Sequence, residues 1–306
     1  GRDSAMCALL VARMFRYDRP ELDPDALRAH VGRHFTTAYM GTENSGGATR
    51  EAARALAEEL GARHFVGDIQ PAFDTHLAIC EQMTGQKLSW DTPAHDIPLQ
   101  NVQARLRGSL IWMIANLEQS LLIATSNKSE AAVGYATMDG DTSGGLSPIA
   151  DVPKSMVSAW LAWAARFHGL SSLEAVVGIP ATAELRPPSE GQTDEDDLMP
   201  FAILDQLIYH FVQRGQDPLQ MFRTLWPVFE QRYGGDPRRF VAHIEKFVKL
   251  FCRAQWKRER FAISFRVTAF DLDPKTGFRF PPVQAPFTEE LAELRLHVDA
   301  LLDDEG

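Results

Sequence analysis

The sequence of 306 residues is long enough to bury the core of one large domain or of two smaller ones. Apolar residues make up 45% and charged residues 24% of the chain, as in soluble globular proteins, and no apolar run approaches the ~20 residues that would span a membrane. The formal net charge of −10 argues against a nucleic-acid partner, which needs a basic surface, but allows a nucleotide bound by a few local cations.

The first third of the chain alternates between helical and extended patterns. We expect three helices here: one over residues 5–16, one that starts at Asp23-Pro24, and one that ends at Gly61. Strands are expected over 34–40 and 64–69. Asp23 suits an N-cap and Pro24 a first helical turn, while Gly61 suits the left-handed residue that ends a helix. This alternation predicts an α/β fold, with a Rossmann-like, doubly wound parallel sheet covered by helices on both faces.

The middle of the chain centres on a short apolar run, Leu121-Leu122-Ile123-Ala124. It is preceded by a long helical segment over 99–119 and followed, further on, by a helical segment over 153–168. Continuous apolar runs of this length are typical of buried parallel strands, so we expect the run to be a central strand. The polar, acidic stretch 186–198 is predicted to be a mobile surface loop.

The last third of the chain is mainly helical in pattern. We expect helices over 201–214, 218–233, 238–258 and 287–302, with a Phe/Val alternation over 261–270 between the last two. The three cysteines, Cys7, Cys80 and Cys252, are odd in number and have no metal-ligand spacing. They are therefore expected to be reduced thiols of a cytoplasmic protein.

A possible anion site opens the chain. Gly1, Arg2, Asp3 and Ser4 precede an apolar helix, and backbone N–H groups at a helix start, aided by the helix dipole, favour a phosphate. Asp3 offers the hard oxygen ligand that Mg²⁺ prefers. An ordinary N-cap explains Asp3 or Ser4 equally well.

A second group of polar residues follows the predicted central strand. Thr125, Glu130, the glycine-rich loop 140–145 around Asp141, and Lys154 all come after the carboxyl end of that strand, where open α/β sheets bind ligands. Each has a structural alternative: Thr125 as a strand-end residue, Glu130 as a first-turn helix acid, Asp141 as a turn residue and Lys154 as a solvated lysine.

Together these segments resemble one family. Gly1-Arg2-Asp3-Ser4 is similar to the end of the Ser-Gly-Gly-x-Asp-Ser loop of N-type ATP pyrophosphatases, and Thr125–Lys154 is similar to the matching stretch of glutamine-dependent NAD synthetases. The resemblance continues through 103–107, 192–195 and 257–260. The family's loop begins with Ser-Gly after a buried strand, and both are absent here. We therefore expect a fragment that lacks this strand and an upstream amidase (glutaminase) domain.

The resemblance implies sites for ATP and Mg²⁺. Asp3 and Glu130 would be the Mg²⁺ ligands, and Lys154 would bind an ATP phosphate and stabilise the transition state of adenylation. The ATP-binding residues implied by the resemblance are Gly1, Arg2, Asp3, Ser4, Thr125 and Lys154.

It also implies a second substrate site. Arg105 and Asp141 would bind deamido-NAD, with Asp141 beside the incoming ammonia, and Thr182 would make a polar contact near phosphate. The catalytic residues would be Asp141, Lys154 and Thr182. Since residues 105 and 107 point to different faces of a helix, Arg107 is predicted to be an exposed surface arginine.

The expected function is therefore ATP-dependent amidation of deamido-NAD to NAD through an adenylate, releasing AMP and pyrophosphate. Ammonia would come from glutamine by way of the upstream glutaminase domain, and the enzyme would be an oligomer built on a dimer. Residues 1–185 would form the synthetase core and 186–306 an acidic loop and helical extension of the same domain. Two alternatives stay open: an ATP pyrophosphatase that adenylates another acceptor, and a non-catalytic nucleotide-binding module.

Overall fold

The fold is described from a computed structural model, which covers residues 1–180, 182, 184–187 and 193–304. In this part of the chain, parallel strand pairs are combined with many helices, so the protein is α/β as predicted. No helix among these residues is both long enough and apolar enough to cross a membrane.

The N-terminal elements follow the predicted order. They are α1 (Arg2–Asp18), α2 (Pro24–His34), β1 (Thr36–Gly41), α3 (Gly47–Leu60) and β2 (Arg63–Asp68). β1 and β2 pair in parallel, from Thr36 opposite Arg63 to Gly41 opposite Asp68. Asp23 caps α2 by accepting a 2.8 Å hydrogen bond from the N–H of Ala26, and Gly61 ends α3 with a φ of 76°. The two local signals that placed these helix ends are confirmed.

The predicted central strand is present only as a single bridge. Ile123 forms an isolated parallel bridge with Leu146, which belongs to β3 (Leu146–Ser147). β3 in turn pairs in parallel with β4 (Ile263–Ser264), the one short piece of strand in the Phe/Val alternation. A ladder needs successive paired residues, and Gly144 and Gly145, which directly precede Leu146, lie in a bend. A Cβ on Gly144 would lie 2.5 Å from the backbone nitrogen of Ala124.

Helices make up most of the remaining described chain. They are α4 (Gln70–Thr84), α5 (Asp96–Leu117), α6 (Lys128–Val133), α7 (Lys154–His168), α8 (Ser171–Gly178), α9 (Asp194–Asp197), α10 (Phe201–Ile208), α11 (Pro218–Phe229), α12 (Pro237–Arg253), α13 (Gln255–Arg258) and α14 (Thr288–Asp304). The predicted helix over 201–214 ends in a π-helical turn, and the one over 238–258 is split into α12 and α13. α4 and α8 were not predicted.

Two apolar clusters hold these elements together. The first joins α1, α3, α7 and α8, with Leu161 and Leu173 fully buried at its centre. The second joins α6 with α10, α11, α12 and α14, around buried residues such as Phe240 and Phe247. α6 and α7 therefore belong to different clusters, and the segment from α6 to α7 crosses from one cluster to the other.

A buried ion pair fastens the C-terminal segment to this crossing. Lys128 and Asp151 lie 2.7 Å apart, and the side chain of each is 1% exposed. Asp151 accepts hydrogen bonds of 2.7 Å from the N–H groups of Val267 and Thr268, while Lys128 donates to the carbonyl of Phe270 at 2.6 Å. The pair therefore connects α6 with the chain around residues 267–270.

We expect Lys128→Met to lower the free energy of unfolding by about 3–5 kcal/mol, because Asp151 would be left as an uncompensated buried charge. Urea unfolding followed by circular dichroism measures this value. The matched control is Lys249→Met, which removes a half-exposed pair with Glu245 and should cost less than about 1 kcal/mol. An equal loss of unfolding free energy in the two variants would show that the buried pair of Lys128 and Asp151 does not stabilise the fold more than a surface pair does.

Candidate functional site

Asp3 lies in the first turn of α1, which is anchored by buried apolar residues. Ala5, Met6, Cys7 and Leu9 face the first apolar cluster and fix the start of the helix. Burial raises the pKa of the Cys7 thiol to about 12, so this cysteine is an inert packing residue. Asp3 is thereby presented at the end of a rigid helix.

Asn127 links Asp3 to Glu130. As the N-cap of α6, its Oδ1 accepts a 3.0 Å hydrogen bond from the N–H of Glu130, and its Nδ2 donates to Asp3 Oδ1 at 2.9 Å. The sequence analysis did not identify Asn127, although asparagine directly before a helical Lys-Ser-Glu is a recognisable N-cap signal. One amide side chain thus sets the positions of both acids.

Lys154 completes the group, which we call the acid–lysine cluster: Asp3, Asn127, Glu130 and Lys154. Lys154 is the first residue of α7 and is only 4% exposed. Its Nζ forms ion pairs with Asp3 Oδ2 and, at 3.0 Å, with Glu130 Oε1. The structure therefore brings together three residues that the sequence had singled out 24 to 151 positions apart. Lys154 is not the solvated lysine of the alternative interpretation.

The charges of this cluster are unbalanced. Burial, together with the negative charge of Asp3, raises the pKa of Glu130 despite the opposing effect of Lys154. Burial alone would lower the pKa of Lys154, but Glu130 and Asp3 outweigh it and raise this pKa. One ammonium is shared by two carboxylates, so an added cation would relieve an excess of negative charge.

The donor set fits Mg²⁺ in combination with phosphate. Among the described residues, no three or more His, Cys, Asp or Glu side chains form a group that could hold a metal. Mg²⁺ characteristically takes one or two carboxylates and completes its shell with water and substrate phosphates. Asp3 and Glu130 supply two carboxylates, and ATP phosphates and water would supply the other ligands of the ion.

The acidic segment near the cluster is not a plain surface loop. Thr193 caps the short helix α9, and Arg186 binds Asp96 and Asp197, at 2.7 and 3.0 Å. Asp194 is buried, and burial raises its pKa despite the nearby charge of Lys154. The segment 186–198 thus contains a short helix and an ion-paired arginine, while its mobility stays a prediction; residues 188–192, Gln192 among them, lie outside the described residues.

Asp141 lies at a second position, in the glycine-rich loop. Its carboxylate accepts a 2.6 Å hydrogen bond from the N–H of Thr137. Although the residue is exposed overall, desolvation of the carboxylate raises the pKa of Asp141 to about 6, against the effects of this bond and of the positive Lys257 and Arg107. The carboxylate is therefore close to its titration midpoint at mildly acidic pH.

Two close backbone contacts hold this loop against α5. A Cβ on Gly140 would meet the Cβ of Ala104 at 2.9 Å, and a Cβ on Gly108 would meet the carbonyl oxygen of Asp139 at 2.6 Å. Only glycine fits at either position, so the loop packs directly on the helix. This contact places the loop that carries Asp141 directly against α5.

The two arginines of α5 lie in different surroundings. Arg105 is exposed and donates to the carbonyl of Met138 at 3.1 Å, in the same loop as Asp141. Arg107 is half-buried and donates to the carbonyl of Met40 at 3.0 Å, and burial lowers its pKa. The prediction of an exposed Arg107 is wrong, because its side chain reaches the carboxyl end of β1.

Lys257 was quoted only as part of the resemblance and was given no role. Its Nζ donates to the carbonyl oxygens of Gly134 and Ala136 at 2.6 and 2.7 Å, and burial lowers its pKa. The ammonium is thereby fixed just after α6, where it influences the carboxylate of Asp141. A lysine from the C-terminal third thus belongs to the surroundings of the glycine-rich loop.

The other predicted site residues make contacts outside the acid–lysine cluster. The guanidinium of Arg2 donates to Ser158 Oγ and to the carbonyls of Val177 and Ile179, so it ties α1 to α7 and α8 instead of facing the cluster. Ser4 Oγ bonds the carbonyl of Gly1, and Thr182 Oγ1 accepts from the N–H of Glu184. Thr125 is half-buried beside the buried Ala124.

Three comparisons with known proteins bear on this geometry. Residues 1–227 match the model of the NAD synthase family. A glutamine-dependent NAD(+) synthetase of Synechocystis is 34% identical over 236 residues, which are 76% of this chain and 37% of that protein. Its counterpart in Aquifex aeolicus is 32% identical over 239 residues. The chain therefore spans well under half the length of these curated relatives.

Solved structures agree with the sequence matches. The crystal structure of a glutamine-dependent NAD(+) synthetase from Cytophaga hutchinsonii has a TM-score of 0.81 at 32% identity, and the match covers 96% of this chain and 50% of that one. An NMN synthetase from Francisella tularensis has a TM-score of 0.52 at 24% identity over 68% of this chain, a likeness that concerns the fold alone.

Proposed function

Because the chain belongs to the NAD synthase family, we propose that it carries the synthetase activity of a glutamine-dependent NAD synthetase. The reaction is the ATP-dependent amidation of deamido-NAD to NAD, with release of AMP and pyrophosphate. The observation that carries the proposal is the acid–lysine cluster, in which Asp3, Glu130 and Lys154 meet within the family-matched region.

The acid–lysine cluster has the chemistry that the ATP end of this reaction needs. When Mg²⁺ is bound, it offsets the negative charge of the triphosphate and of the departing pyrophosphate. Asp3 and Glu130 would hold it through carboxylate oxygens, and Asn127 keeps the two acids in register through its bonds to Asp3 Oδ1 and to the N–H of Glu130. Lys154 remains protonated and points its ammonium at the same place, where it stabilises negative charge on the phosphates. The backbone N–H groups at the start of α1 favour the same anion.

The glycine-rich loop has the chemistry of the acceptor end. The nicotinate carboxylate of deamido-NAD attacks the α-phosphate of ATP, and pyrophosphate leaves. Ammonia then attacks the carbonyl carbon of the adenylate, and AMP departs with one of the former carboxylate oxygens. Asp141 orients the ammonia and accepts a proton as the amide forms. Arg105 binds deamido-NAD, and Thr125 and Thr182 make polar contacts with ATP.

Several finer features belong to the same proposal. The parallel strands would be parts of a Rossmann-like, doubly wound sheet, and residues 186–306 would be an extension of the synthetase domain 1–185. Ammonia would come from glutamine through a glutaminase domain of the same polypeptide, in a cytoplasmic enzyme whose oligomer is built on a dimer. ATP and Mg²⁺ would be its cofactors.

The experiment that tests this function supplies the protein with ATP, Mg²⁺, ammonium and either deamido-NAD or another carboxylate acceptor. With deamido-NAD, we expect NAD, AMP and pyrophosphate in equal amounts. With any other acceptor, we expect no release of pyrophosphate. Pyrophosphate release with a different acceptor would indicate another ATP pyrophosphatase. ATP binding without cleavage under all acceptors would indicate a non-catalytic nucleotide-binding module.

A pH dependence follows from the environment of Asp141. The carboxylate form of Asp141 is the one that accepts a proton, and desolvation of this carboxylate raises its pKa to about 6. The wild-type rate should therefore exceed that of Asp141→Asn by a ratio that is small below pH 6, grows as the pH rises through that value and then levels off. Taking the ratio at equal free ammonia removes the titration of ammonium itself. A ratio that does not change between pH 5 and 8 would contradict this role.

A further inference from the structure

The start of α7 has no cap of its own. Its N-cap residue is Pro153, whose side chain has no oxygen, so nothing local accepts the first N–H groups of the helix. These groups are nevertheless bonded. The N–H of Lys154 donates to Ser129 Oγ at 2.8 Å, and the N–H of Ser155 donates to Asp205 Oδ2 at 3.0 Å.

Asp205 is the residue on which both bonds converge. Its other oxygen, Oδ1, accepts the hydroxyl proton of Ser129, which in turn accepts from the N–H of Lys154. One carboxylate of α10 therefore holds both the second residue of α6 and the first two residues of α7. A carboxylate at a helix N-terminus is favoured by the helix dipole as well as by charge-assisted hydrogen bonds.

The support behind Asp205 is rigid. Its helical neighbours Ile203 and Leu204 are fully buried in the second apolar cluster, and Ser129 is fully buried as well. Burial raises the pKa of Asp205, against the effects of its bonds to Ser129 and Ser155 and of the positive Lys128. Asp205 is itself half-buried, and its bonds to two separate elements hold its carboxylate in position.

We propose that Asp205 is a positioning residue that acts through Ser129 and the start of α7 to place Glu130 and Lys154 for reaction with ATP. Glu130 directly follows Ser129 on α6, and Lys154 is the first residue of α7, directly after the N-cap Pro153. A shift of either backbone would separate the ammonium of Lys154 from its two carboxylates. The C-terminal third of the chain thus controls the geometry of the ATP end through one side chain. This inference deepens the proposed function and rests on it.

The test compares Asp205→Ala with Asp205→Asn and with the control Asp299→Ala, an exposed acid on α14 paired with Arg238. Loss of a residue that orients reacting groups typically costs about 10–100-fold in activity. We expect this loss in the kcat of pyrophosphate release for Asp205→Ala, with a smaller change in the KM for ATP. The oxygen of an asparagine can still accept from the N–H of Ser155, and its amide group can donate to Ser129 Oγ, so Asp205→Asn should recover most of the loss.

A double-mutant cycle separates positioning from general destabilisation. If Asp205 acts through Ser129, the double variant Ser129→Ala/Asp205→Ala should be as active as the less active of the two single variants. The proposal is overturned if the two losses multiply, if Asp205→Ala matches the control, or if its loss equals the fraction of unfolded protein measured by urea unfolding.

Amide hydrogen exchange gives a readout that is independent of NAD formation. The N–H groups of Lys154 and Ser155 should exchange faster in Asp205→Ala than in wild type or in Asp299→Ala. If the wild-type protein makes no NAD, the proposed function fails, while unchanged exchange at these two amides would by itself overturn the role of Asp205.

Discussion

Replacing Lys154 with alanine should lower the rate of pyrophosphate release from ATP by about 10³-fold, since removal of one preorganised group that stabilises transition-state charge typically costs 10²–10³-fold or more. Lys154 is the cation that faces both Asp3 and Glu130, and it is almost fully buried. Without it, two carboxylates would face the triphosphate with no ammonium between them. The measurement is kcat for pyrophosphate release at saturating ATP and Mg²⁺.

The control for this prediction is Lys249→Ala, which removes a half-exposed lysine of α12. It should leave the rate within about twofold of wild type, as expected for a surface change away from the site. Lys154→Arg should not restore the rate, because a planar guanidinium cannot reproduce the point charge of an ammonium between two acids. A Lys154→Ala enzyme of near wild-type activity would show that this lysine is only structural.

Replacing Glu130 with glutamine should have the second-largest effect on turnover, about 10²-fold at low Mg²⁺, because the metal would lose one of its two carboxylates. The variant should need a higher Mg²⁺ concentration for half-maximal rate. Mn²⁺ binding in the presence of a non-hydrolysable ATP analogue, followed by electron paramagnetic resonance, gives a readout that does not depend on turnover.

The matched control is Glu289→Gln, which also removes an acid from a first helical turn, here the exposed start of α14. It tests the alternative that Glu130 merely complements a helix dipole. If both variants bind Mn²⁺ as wild type does, Glu130 is not a metal ligand. A loss confined to Glu130→Gln supports the assignment.

The signals that predicted the fold were local ones. Asp23 with Pro24 and the glycine at 61 determine helix ends through their own hydrogen bonds and backbone angles, so they are readable without tertiary context. The apolar run 121–124 was harder to interpret, because a strand exists only where neighbouring backbone pairs with it. In this structure one bridge to Leu146 is all that forms.

In the site, too, residues with a local signal could be predicted, whereas residues defined only by distant contacts could not. Asp3, Glu130 and Lys154 were singled out from residue type, position and family resemblance, and the structure places them in contact. Asn127 could have been found from its N-cap position. Asp205 could not, because its partners Ser129 and Ser155 are 76 and 50 residues away and no local pattern connects them. Arg107 was misjudged for a similar reason, since its burial depends on the end of β1.

The most direct test of activation through an adenylate follows the oxygen atoms of the substrate. Deamido-NAD labelled with ¹⁸O in the nicotinate carboxylate is incubated with the protein, ATP, Mg²⁺ and ammonium, and the products are analysed by mass spectrometry. If the carboxylate attacks the α-phosphate, each AMP carries one ¹⁸O atom and the amide of NAD retains the other. Unlabelled AMP, or ADP accompanied by ¹⁸O-labelled inorganic phosphate, would contradict activation of the substrate as an adenylate.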